Sequence, residues 1–203
     1  IRDVDRLSVK IAAQVHGWQP EQHFERQRLP LLDRFAQFAL VAARQAVAQS
    51  GLRFQGALAD TSGVVLGTAG GGLTTTDDNY RSVYAEGKSR VHPFVVPKLM
   101  SSAAPSHVSM EFTLRGPSFA LSSACASSNH AMGLAFQMVR SGLADVMLTG
   151  GAEAMLCLGG IKAWEGLRVM SPDACRPFSL TRNGMVQGEG AAVFVFEDFD
   201  HAR

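Results

Sequence analysis

The sequence lacks the features that mark several classes of protein. Its three cysteines, Cys125, Cys157 and Cys175, are odd in number and form no C-x-x-C pair. That argues against a disulfide framework or a zinc ligand set and points to a reducing compartment, the cytoplasm. Neither a metal site nor a cofactor is expected. Charge of one sign is missing too: 19 basic residues face 18 acidic ones, so no global field draws the chain to nucleic acid or an anionic membrane. No run of about 18 apolar residues occurs, because Arg44 and Gln45 interrupt the best stretch, and no membrane span is expected. The opening "IRDVDRLSVK" lacks the apolar core of a signal peptide. It also lacks an initiator methionine, as expected of a chain that starts inside a longer protein.

What the chain does have is glycine, 20 residues of it, set among short apolar runs. "LPLLDRFAQFALVAARQAVAQSG" carries Leu31, Phe35, Phe38, Ala42 and Ala46 at three- and four-residue steps, which predicts a helix stopped by Gly51. "SGVVLGTAGGG" predicts a strand running into a glycine loop, and residues 73–86 and 97–112 predict helices. "SFALSSA" predicts a strand, residues 126–141 a helix, and "ADVMLTGGAEA" a strand ending in a glycine turn at Gly150 and Gly151. The continuous apolar run in "GEGAAVFVFED" predicts a last strand buried on both faces. Alternating strands and helices without repeat or linker describe one α/β domain with a largely parallel sheet.

Cys125 falls where a strand turns directly into a helix. A free cysteine is ordinarily a small buried hydrophobe, yet at this position the unpaired N–H groups of the first helical turn favour thiolate over thiol. Its neighbours Ala124, Ala126, Ser127 and Ser128 leave an incoming electrophile room, and a backbone N–H of the turn could hold an oxyanion. On residues alone the two readings stand level. His130, five positions on, is expected to be a hydrogen-bonded helix residue aimed away from the sulfur. "GTAGGG" fits neither nucleotide-binding glycine pattern and is read as turn glycines or a close approach of backbone. Arg176, Arg182 and Glu189 are read as a structural ion pair or turn; Arg26, Arg28, Arg34, Lys88, Arg90 and Arg168 are read as solvated charges.

Taken together, "GPSFALSSACASSNHAMG", "GLADVMLTGGAEA" and "RPFSLTRNGMVQGEGAAVFVFED" resemble the β-ketoacyl-acyl carrier protein synthases. The likeness is to the KAS II-like elongating branch and, more loosely, to nodulation-type ketosynthases. It implies a thiolase-like layered α/β/α fold, dimeric, with residues 1–203 as the N-terminal portion. The opening strand and the C-terminal half, which supplies two histidines and a lysine in the family, would then lie outside the chain.

The resemblance further implies decarboxylative Claisen condensation. Cys125 takes an acyl chain from acyl carrier protein, and a malonyl-derived carbanion attacks that thioester. Gly70 aligns with a bulky aliphatic residue that narrows the acyl tunnel, so a wider tunnel is expected here. Val95 aligns with a larger pocket residue donated across the dimer, and Arg90 and Arg168 align with residues that dock the acidic carrier. Met185 and Asn183 replace a usual aromatic residue and aspartate, and Pro30 and Leu31 stand where relatives are basic. Two competing readings are a non-catalytic partner subunit, which would lack the nucleophile, and a cysteine hydrolase, which would need a base beside it.

Overall fold

A computed structural model describes residues 1 and 3–203. Its helices are α1 (Arg34–Ser50), α2 (Ala57–Asp60), α3 (Leu73–Tyr80), α4 (Val95–Leu99), α5 (Ala103–Phe112), α6 (Ser127–Arg140) and α7 (Leu158–Gly166). Its strands are β1 (Ser62–Gly67), β2 (Ser118–Leu121), β3 (Val146–Ala154) and β4 (Glu189–Glu197). They form one sheet in the order β2-β1-β3-β4, with β2, β1 and β3 parallel and β4 antiparallel to β3.

The sheet is covered on both sides. Val64 and Leu66 of β1 and Val146 and Leu148 of β3 pack with Phe35, Phe38 and Leu40 of α1 and Val108 of α5. The alternate residues Val65 and Met147 meet Ala131 and Ala135 of α6 on the opposite face. The period-two alternation along each strand therefore feeds two cores. Three α/β/α layers result, as expected.

Helix α1 begins where its sequence caps it. The Asp33 side chain accepts from Phe35 N at 3.1 Å and reaches Thr75, whose N and Oγ1 donate at 2.9 and 2.5 Å. Burial pushes the Asp33 carboxyl up from its ordinary value despite these donors. Gly51 closes the helix with φ 71°, the left-handed conformation that suits glycine.

Several expectations are corrected. Residues 97–112 are two helices, because Pro97 and Pro105 each fit only the first turn of a helix and so mark separate starts. Gly150 and Gly151 form no turn: β3 runs through them to Ala154. Strand β4 is not buried on both faces, since it is the outer strand and exposes Ala192 and Phe194. Arg34 is no solvated charge. It grips the buried carboxylate of Glu189 through Nε at 2.8 Å and Nη2 at 2.6 Å, tying α1 to β4.

Arg28 is also engaged, with Arg44, around Glu111 on α5. Burial raises the Glu111 carboxyl, but the two guanidinium groups outweigh it and hold it below its ordinary 4.5. A lowered acid contributes stability that is fully present above about pH 4.5 and lost as pH falls through the folded value. Glu111→Gln should therefore lower stability at pH 7 and flatten its acid limb. Chemical denaturation between pH 3 and 7 measures both; parallel wild-type and variant curves would contradict the assignment.

Candidate active site

Strand β2 ends at Leu121, and a turn of five residues leads into α6. Ala124 sits at φ 52°, which costs a residue with a side chain roughly 1–2 kcal/mol. Ser127 staples the turn: its buried Oγ accepts from Ser123 N at 2.9 Å and donates to Ala124 O at 2.6 Å. Cys125 stands at the crest of this turn, exposed, two residues before α6 begins. Strain held by local bonds at an accessible thiol marks a functional position better than a packing one. His130 Nδ1 lies 2.6 Å from Ser123 Oγ, so it is a hydrogen-bonded helix residue that braces the turn.

Two glycines let α6 start against the strand ends. A Cβ on Gly67 would fall inside the backbone of Ser127 and Ser128, and one on Gly151 would strike Ser128 Oγ. Gly150, at φ 136°, clears Ala192 O of β4.

Cys125 opens on a cavity of about 500 Å³. Apolar side chains dominate its wall, among them Met132, Met155, Trp164, Met185 and Phe194. Sequence reasoning missed these except for Met185, because they come from three elements and a loop that only the fold brings together. The glycine loop closes one side by embracing a carboxylate of the protein itself. Ala69 N and Gly70 N donate to Glu153 at 2.6 and 3.2 Å, and Thr68 Oγ1 adds a third bond at 3.1 Å. With Gly71 N donating to Thr68 Oγ1 and Gly72 N to Leu99 O, the loop's donors are spent within the protein and not offered to a phosphate.

The remaining predicted residues scatter. Gly70 lies beside the cavity, but Met155 fills the space it leaves: a Cβ there would be 2.8 Å from Met155 Cγ and closer still to its sulfur. Val95 and Arg90 share a different hollow with Lys88, His92 and Lys98. Arg168 is exposed just past α7, at φ 58°. Arg176 pairs with Asp173, and Arg182 donates to Ser179 O, so both are structural as expected.

A three-layer α/β/α fold that raises a thiol on a strained turn at a strand end is a thiolase-like scaffold. The chain belongs to the β-ketoacyl synthase family: the family model for the Beta-ketoacyl synthase N-terminal domain matches residues 5–202. Nodulation protein E of Rhizobium leguminosarum bv. trifolii is 46% identical over 183 residues, covering 90% of this chain and 46% of that protein. The 3-oxoacyl-[acyl-carrier-protein] synthase 2 of Staphylococcus aureus (strain N315) is 36% identical over 206 residues, covering 99% of this chain and 50% of that one. A solved type II polyketide ketosynthase, in complex with its acyl-carrier protein and bound to a hexaketide, superposes with a TM-score of 0.74 at 29% identity. It covers 83% of this chain and 44% of that one. The chain spans about half the length of the curated relatives it matches.

Proposed function

We infer that residues 1–203 are the N-terminal portion of a ketosynthase domain and that Cys125 is its acyl-accepting thiol. The observation that carries this is the exposed Cys125 on its strained, stapled turn, facing an apolar cavity large enough for an acyl chain. In the half-reaction these residues support, the Cys125 thiolate attacks the carbonyl of an acyl thioester on acyl carrier protein. The new S–C bond forms, the carrier S–C bond breaks, and the carrier sulfur leaves as thiolate and is reprotonated. A backbone N–H of the turn would stabilise the intermediate oxyanion.

Decarboxylation and condensation with malonyl-carrier follow, using histidines and a lysine from beyond these residues. The retained thiol argues against a non-catalytic partner subunit. Arg90 and Arg168 serve the acidic carrier, and Val95 serves the acyl pocket of a second subunit in a cytoplasmic homodimer or ketosynthase-like pair.

Labelling of the full-length polypeptide with cerulenin tests the central claim. Cys125 should be modified selectively while Cys175, also exposed, stays free. Labelling at Cys175 or Cys157 in its place would overturn the reading.

Met155, more than Gly70 alone, sets the length of chain the cavity accepts. Its thioether is flexible and can swing aside, whereas a branched residue at position 70 could not. Met155→Ala removes about three heavy atoms from the wall and should raise the upper chain length by roughly two carbons. Gly70→Ile should shorten it by a similar amount. Acylation rates across a series of saturated thioesters read both; unchanged profiles in the two variants would reject the assignment.

A further inference from the structure

Gln187 stands apart from the other side chains around the thiol. It is 5% exposed, lines the same cavity as Cys125, and its Nε2 is buried with no hydrogen-bond partner. Backbone pairing pins its position: Gln187 O accepts from Ala13 N at 2.8 Å, and Glu189 N donates to Ala13 O at 3.1 Å. Several other polar side chains of the wall are occupied within the protein. Glu153 and Thr68 bond to each other and to the glycine loop, and Ser127 staples the turn.

A buried amide donor with no acceptor is costly, and an apolar residue of similar size would avoid that cost. In this placement no water reaches it, because Nε2 has no accessible surface against which one could sit. The last torsion of a glutamine is broad and twofold. Half a turn exchanges the ends of the amide and presents its N–H to whatever occupies the cavity.

We propose that Gln187 selects an acyl chain bearing an oxygen on its carbon skeleton, a hydroxyl or a ketone, which accepts the amide N–H. A saturated chain leaves the amide unpaired and is discriminated against for that reason. This rests on the reading of Cys125 as the acyl-accepting thiol. An oxygen on the pantetheine arm would satisfy the same donor, so the test holds the arm constant and varies the chain.

The full-length polypeptide is acylated with pantetheine thioesters of octanoate and of its 3-, 5- and 7-hydroxy derivatives, and Cys125 loading is followed by intact-protein mass spectrometry. At least one hydroxylated donor should load about tenfold faster than octanoate, the worth of one hydrogen bond. Gln187→Leu should erase that preference, and Gln187→Met, unbranched like glutamine, should do the same if the leucine variant folds poorly. Octanoate loading as fast as every hydroxylated donor would overturn the proposal, as would an unchanged preference in both variants. Equal slowing of all donors in the variants would overturn it too, assigning the amide to the arm or to structure. Failure of every donor to acylate Cys125 would instead overturn the underlying reading of the thiol.

Discussion

Cys125→Ala in the full-length polypeptide should abolish acyl-enzyme formation and lower condensation by at least about a thousandfold. The reason is chemical: the covalent intermediate needs a sulfur to carry the acyl group, and Cys125 is the cysteine of the turn between β2 and α6. Neither of the other thiols can substitute. Cys157 is buried, and burial pushes its thiol up, away from the reactive thiolate. Cys175 belongs to a separate hollow with Arg176 and Arg182. Because Cys125 is exposed, its removal should change stability by no more than about 0.5 kcal/mol. Mass spectrometry after incubation with an acyl-carrier donor, beside a thermal melt, separates lost chemistry from lost fold. An acyl adduct persisting in the alanine variant would remove Cys125 from its role.

Gly67→Ala should be among the most damaging single-methyl additions in the chain. The added Cβ would overlap the backbone of Ser127 and Ser128, and backbone cannot rotate away as a side-chain tip can. Helix α6 must move outward, carrying Cys125 and the Ser127 staple with it. Overpacking of this kind costs about 3 kcal/mol or more. Gly151→Ala meets Ser128 Oγ, a rotatable atom, and the backbone oxygen of Gly67 only at 2.8 Å, whereas the contacts of Gly67→Ala are all with backbone and all closer than that; it should cost less. The expected order in denaturant midpoints is wild type, then Gly151→Ala, then Gly67→Ala, with acylation falling in the same order. If Gly67→Ala were the milder change, the strand ends would not be what seats the helix.

Much of this arrangement was legible in the sequence because it is local. The three- and four-residue spacing of α1, its stop at Gly51, and the strand–thiol–helix order around Cys125 follow from neighbours in the chain. The resemblance carried the thiolase-like fold, since its three motifs lie on the elements that build the sheet. What could not be read was pairing at a distance. Arg34 looked like any surface arginine because its partner, Glu189, lies at the other end of the sequence. Gly150 and Gly151 imitate a turn, and only the neighbours across β4 and α6 reveal a straight strand needing clearance. Met155 was invisible for the same reason: the resemblance leads one to expect a wider tunnel at Gly70, but nothing local says that Met155 packs where a side chain there would sit.

Those two glycines of β3 also act as a register key. Gly150 must face the carbonyl of Ala192 on one neighbour, and Gly151 must face Ser128 on another. A slip of β3 by one residue would bring Thr149 or Ala152, each with a Cβ, into one of those clearances. The strand has one alignment that satisfies both contacts. In meeting them it ties the outer edge of the sheet to the seat of the thiol, so an error in pairing β4 is also an error in placing Cys125.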